Sequence, residues 1–177
     1  ITEGDNDDGG IPGYSAGPGS DQGPGWGSPN IALRVAAFPG VALSAQATSV
    51  KVARGANAQA GTFSITNTTT DPIQLIGITL DIKSPNLFSV IRVSATANDI
   101  TQNASAAPSK HTSLTFPSPL VILSSQAAQV TLNVSAGYKI GSSSLAAPSG
   151  SVSISDGQGG IIVVTGLPSA LATVKVQ

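Results

Sequence analysis

The chain has 177 residues, 40% of them hydrophobic and only 10% charged, with a net charge of −1, no Cys and no Met. That is enough for one sizeable domain plus an extension, and the charge gives no electrostatic footprint for nucleic acid or anionic lipid, so neither is expected as a partner. Lack of Cys excludes disulfide staples and thiolate metal sites, and no run nears about 18 apolar residues, so no membrane span is expected.

With so few charges, the polar surface comes from Ser, Thr, Asn and Gln, and such a surface has little self-repulsion to oppose association. A chain that opens on Ile1 and lacks Met predicts an N-terminus processed by removal of a signal peptide, hence an extracellular or cell-surface protein.

Residues 1–30 are rich in Gly, Pro, Asp and Ser, with Ile11, Tyr14 and Trp26 the only large apolar side chains after Ile1. This composition predicts an extended Gly/Pro-rich N-terminal arm. Gly13-Tyr14-Ser15-Ala16-Gly17 matches G-x-S-x-G. The nucleophile elbow needs a strand turning sharply into a helix, with His and Asp nearby, and none of that surrounds this copy. Glu3, Asp5, Asp7 and Asp8 precede Gly9 and Gly10, but a calcium loop wants its Gly directly after the third acidic position and a later bidentate Glu, and Glu3 is the only glutamate. No metal and no cofactor are expected. Tyr14 and Trp26 could form a sugar-stacking platform, but a binding module usually shows several exposed aromatics. Anchoring of the arm, on its own or a neighbouring domain, is the preferred reading.

From Ile31 the pattern becomes β. Ile31, Leu33, Val35 and Ala37 alternate with Ala32, Arg34 and Ala36; Phe38-Pro39-Gly40 breaks the run, and Val41 and Leu43 resume it. Residues 31–45 thus carry the alternation of a donor strand, and residues 31–177 form the expected sandwich domain. Val50 and Val52 mark a short strand before the Arg54-Gly55-Ala56-Asn57 turn.

The stretch Gly61 to Ser94 is central. Phe63 and Ile65 alternate with Thr62, Ser64 and Thr66, and Asn67-Thr68-Thr69-Thr70-Asp71-Pro72 is a turn cluster. Ile73 and Leu75 then share one parity while Ile76, Ile78, Leu80 and Ile82 share the other, with Gly77 between. Either a β-bulge at Gly77 flips the phase, or both faces of this strand are covered. Phe88, Val90, Ile91 and Val93 repeat the change.

Asn98 to Lys110 reads as a polar loop. Leu114, Phe116 and Leu120 to Leu123 give strands interrupted by Pro117 and Pro119, which predicts an edge strand or a corner. Val130, Leu132 and Val134 alternate cleanly. Val152 and Ile154 are expected to pair with Ile161 to Val164 across Ser155–Gly160 as a hairpin, and Leu171 to Val176 forms a last strand. With no helical periodicity and many short strands, the fold class is all-β.

Three glycosylation sequons begin at Asn67, Asn103 and Asn133, about the number chance supplies. Asn67 and Asn103 are expected in turns and Asn133 on a hydroxyl-bearing strand face, so a glycan is permitted at each.

The run TFSITNTTTDPIQLIGITLDI, followed by LTFPSPLVILSSQAAQVTLNVSA, resembles immunoglobulin-like antiparallel β-sandwiches of secreted bacterial and archaeal surface proteins. The resemblance covers roughly residues 48–136 and brings no functional residues with it.

The expected function is a non-catalytic structural subunit of an extracellular filament or surface layer, a homopolymer built head to tail. Its candidate subunit contacts are Ile31, Leu33, Val35, Ala37, Val41, Leu43, Tyr14 and Trp26. The alternative is a carbohydrate-binding or adhesin module. One His, one Glu and no Cys leave almost no acid–base inventory for an enzyme.

Overall fold

A computed structural model describes residues 40–157 and 162–177 of the chain. The arm and the contact candidates Tyr14, Trp26, Ile31, Leu33, Val35 and Ala37 lie outside the described residues. Among those described there are twelve strands: β1 (Val41–Ala45), β2 (Thr48–Val52), β3 (Asn57–Asn67), β4 (Ile73–Ile82), β5 (Phe88–Ala97), β6 (Ile100–Ala106), β7 (His111–Ile122), β8 (Ala127–Ala136), β9 (Gly141–Ala147), β10 (Val152–Ser155), β11 (Val164–Thr165) and β12 (Ser169–Val176), with one short 3₁₀ turn at Pro85–Leu87. No helix among them is long and apolar enough to cross a membrane.

The strands form two six-stranded sheets. The first has the order β11-β1-β3-β8-β5-β6. In the second, β10, β4, β9, β12 and β2 follow one another, and β7 pairs with the free side of β4. Both sheets are mixed, because β1 runs parallel to β11 and β2 runs parallel to β12. The expected purely antiparallel arrangement is corrected on this point. The chain changes sheets between β1 and β2, so β1 lies inside the first sheet, between β11 and β3, and β2 forms an edge of the second.

One core lies between the sheets. Phe63, Ile65, Val130, Leu132, Ile91 and Val93 come from the first sheet; Leu75, Ile78, Leu80, Leu114, Leu145 and Val174 come from the second. Each is at most 3% exposed, so the alternation seen in the sequence is the alternation of burial. Burying a side chain of this size contributes about 1.5–3 kcal/mol relative to leaving it in water.

The phase change in β4 is a bulge. Against β10, Ser153 faces Gly77 and Ile154 faces Leu75, so Ile76 is the extra residue on β4. Against β7, Leu75 pairs with Leu120 and Gly77 with Thr115, so there it is β7 that bows out, with Phe116 to Pro119 unpaired. Ile73 and Leu75 before it, and Ile78, Leu80 and Ile82 after it, all point inward. Gly77 is required beside the bulge because a Cβ there would lie 2.6 Å from the Leu114 carbonyl oxygen. A second bulge at Ser89 corrects the phase of β5, since Phe88 pairs with Ala136 and Val90 with Ser135. A third, at Ala60, lies between Gln59 and Gly61 of β3. The Thr48 hydroxyl donates to the Ala60 carbonyl there.

Three local expectations change. The Asn98–Lys110 loop contains β6, which joins β5 through a two-residue turn at Asn98 and Asp99, both with positive φ. This is a primed hairpin turn, to which Asn and Asp are suited. Of the expected hairpin, Ile161 lies outside the described residues; Val152 and Ile154 pair instead with β4, and Val164 with β1. Val41 and Leu43 are 1% and 5% exposed in β1, paired with β3. Their side chains complete the chain's own core, which corrects their expected place among the subunit contacts. Pro117 and Pro119 fall in β7, whose ladder partner among the described strands is β4. Both lie between Thr115 and Leu120, where β7 has no ladder partner, so their missing N–H groups remove no ladder bond.

Candidate functional site

The three sequon asparagines have separate fates. Asn67 ends β3 and is fully buried. Its Nδ2 donates to the carbonyls of Asp71 at 2.9 Å and Ile122 at 3.0 Å. Its Oδ1 accepts from the Thr69 backbone N–H at 2.9 Å and the Thr69 hydroxyl at 2.6 Å. Every polar capacity of the amide is used to tie the β3–β4 turn to the end of β7. The bond to Thr69 N–H two residues on is the Asx-turn for which this residue type is selected. A glycan on Nδ2 would break both donor bonds in a site with no room, so the expectation at Asn67 is withdrawn.

Asn103 and Asn133 lie on strands instead. Asn103 was expected in a turn but sits in β6; Asn133 sits in β8. Both face outward on the first sheet. Register places Gln59, Asn133, Arg92 and Ser105 in one row across β3, β8, β5 and β6, and Thr62, Thr131, Ser94 and Asn103 in the next. Asn57 and Ser135 start the row on the other side. The bulges at Ala60 and Ser89 lie beside this part of the sheet. Bulges increase local twist and bend the strand, and the face here is hollowed into a groove of about 450 Å³ around Asn57, Arg92, Ser94, Asn103, Ser105 and Asn133.

Hydrogen bonds orient this face. The Ser94 hydroxyl donates to Asn103 Oδ1 and the Ser135 hydroxyl to Asn57 Oδ1, each at 2.5 Å. Both amides are thereby fixed with Nδ2 left to donate elsewhere. Arg92 is exposed, and among the described residues its guanidinium has no hydrogen-bond or ion-pair partner. The groove therefore offers fixed donors, one positive charge and hydroxyls, and can hold an anionic or hydroxyl-rich ligand. It contains no nucleophile–base pair.

A second, shallower concavity of about 300 Å³ lies on the other sheet beside Asp81, Lys83, Lys110, His111 and Ser144. His111 Nδ1 is 2.6 Å from Asp81 Oδ1, with the two side chains 77% and 40% exposed. No Ser or Thr hydroxyl among the described residues bonds to this imidazole. The pair is a solvated cross-strand contact between β7 and β4. No group of three or more His, Cys, Asp or Glu side chains among the described residues could hold a metal ion.

Large exposed hydrophobic side chains form a third feature. Among the described residues they are Ile100, Val121, Leu123, Tyr138 and Ile140. Ile100 pairs with Ala97 at one end of β5, where Asn98 Nδ2 bonds the Val121 carbonyl at 3.1 Å, so Ile100, Val121 and Leu123 share one end of the sandwich. Tyr138 and Ile140 follow Ala136, which pairs with Phe88 at the other end of β5.

No family model and no curated protein matches the chain. Among solved structures, the chain is similar to a family 123 glycoside hydrolase from Clostridium perfringens, described in connection with glycolipid glycan hydrolysis. The TM-score is 0.39 and the identity 7%, over 78% of this chain and 27% of that one. This chain thus spans about a quarter of that structure's length, and a likeness at this level carries no argument about activity.

Proposed function

We propose that the protein is a non-catalytic, extracellular structural subunit of a filament or surface layer, in which the sandwich associates head to tail with further copies. The observation that carries this reading is the placement of the exposed large hydrophobics at two opposite ends of one sandwich. Apolar surface at both ends, on a body with 10% charged residues, suits a heterologous contact that repeats without closing. The phase change in β4 gives no support, because the bulge at Ile76 accounts for it.

An immunoglobulin-like topology belongs to the same reading. It is supported by β1-β3-β8-β5 in one sheet and β12-β9-β4 in the other, which follow in chain order the A-B-E-D and G-F-C sheets of that fold. In this reading Ile31, Leu33, Val35 and Ala37 supply an added strand to the next copy. Val41 and Leu43 do not, since they are core.

Sedimentation velocity and negative-stain imaging of the full chain test the proposal. Assemblies are expected at micromolar concentration, and Tyr138→Ser with Ile140→Ser is expected to return monomers of unchanged stability. A deletion that tests the added strand must stop at Phe38, so that β1 stays in place. A full chain that sediments as a monomer at all concentrations refutes the assignment.

A further inference from the structure

We propose that the groove around Arg92 binds an acidic polysaccharide, one whose sugar units carry carboxylates. The inference goes beyond self-association and does not rest on it, since the end patches and the groove share no residue.

Arg92 stands in the row Gln59–Asn133–Arg92–Ser105. It is the one formally charged residue among the outward positions of β3, β8, β5 and β6, with no carboxylate among them. A guanidinium presents a fixed fork that takes a carboxylate through two parallel N–H···O bonds. Without a partner among the described residues, it is available for that geometry.

Around the fork, serines hold the Oδ1 atoms of Asn57 and Asn103, so each amide is pinned with its nitrogen free. Asn133 and Ser105 add a further amide and hydroxyl. Neighbouring strands are about 4.8 Å apart and same-face residues on a strand about 7 Å apart. Donors and acceptors on such a grid are spaced to reach a carboxylate and hydroxyls on one or on adjacent sugar units together.

Other occupants fit less well. A peptide added by strand pairing would extend the sheet at the free edge of β6 and so lie beside the groove, not over Arg92 on β5, which is paired on both sides. The outward side chains of the groove are polar, so a peptide finds no apolar pocket for an anchor. A single cation on a chain of net charge −1 is too little for a phosphate backbone, whose binding scales with the number of phosphates neutralised.

The test uses the full chain from a host that does not glycosylate, so that Asn103 and Asn133 are bare. Calorimetry or NMR titration is run with oligogalacturonate, with a neutral galacto-oligosaccharide of the same length, and with a synthetic peptide of residues 1–10. Saturable binding of oligogalacturonate is expected, weakened by salt and absent for the neutral sugar. Arg92→Gln should lower the affinity roughly tenfold or more, and Arg92→Lys should recover only part of it, because ammonium is a point charge without the fork. Asn133→Ala should also weaken binding, whereas Lys175→Gln on the other sheet should not. Unchanged unfolding midpoints will show that these outward substitutions leave the fold intact. The proposal is overturned by no saturable binding of oligogalacturonate, by equal binding of the neutral sugar, or by an Arg92→Gln variant that binds like the parent. Tighter binding of the acidic peptide would assign the groove to a protein partner and overturn it equally.

Discussion

The turn at Asn67 and the groove around Arg92 are built from the same residue types, yet they have opposite roles. At Asn67 one amide makes four hydrogen bonds, is fully buried, and joins three segments of chain. At the groove, two amides are held through their oxygens only, and a guanidinium beside them has no partner among the described residues. Saturation of hydrogen-bonding capacity separates a structural polar residue from one available to a ligand. A sequon cannot make that distinction, because both regions contain one.

The sharpest way to break this contrast is to exchange the expected consequences. Asn67→Ala removes four hydrogen bonds of a fully buried amide, among them the buried one to the Ile122 carbonyl, and should destabilise the fold by about 2–4 kcal/mol. Urea unfolding measures it, and a loss well under 1 kcal/mol would remove Asn67 from its structural role. The loss of self-association in the Tyr138→Ser, Ile140→Ser variant should come without any comparable loss of stability, read from the same unfolding curves.

Asn103→Ala and Asn133→Ala should each change stability by no more than about 0.5 kcal/mol, because outward surface positions rarely exceed that. A larger loss would make the groove residues structural too, and the contrast with Asn67 would disappear. Glycopeptide mapping of folded protein from a glycosylating host should find Asn67 unmodified, with any glycan confined to Asn103 or Asn133. The smallest effect is expected from His111→Ala. It deletes a solvated contact with Asp81 and should shift the unfolding midpoint by less than about 0.5 kcal/mol equivalent.

Much of the fold was legible because alternation is a direct imprint of burial. Phe63 and Ile65, or Val130, Leu132 and Val134, are inward on their strands as their spacing predicts. The phase changes near Gly77 and Val90 were visible as well, but spacing alone fits a bulge or a strand covered on both faces. Ladder register decided for the bulge. β6 escaped because its inward positions are Gln102, Ala104 and Ala106, too small or too polar to print a pattern. Asn98-Asp99 was the one local signal for it. The groove was less legible still, since Arg92 and Asn133 are 41 positions apart in sequence and meet only through the pairing of β5 with β8.

Composition, charge and apolar alternation are properties of short windows, and by themselves they determined that this chain is all-β, weakly charged and poor in acid–base groups. Tertiary structure decided the rest. It set which strand pairs with which, including the parallel contacts of β2 with β12 and β1 with β11, and it placed Val41 and Leu43 in the chain's own core. It also buried Asn67 while leaving Asn103 and Arg92 facing out. The physical reason is that hydrogen-bond satisfaction and burial depend on residues distant in the chain. Only the assembled sheets bring those residues within reach.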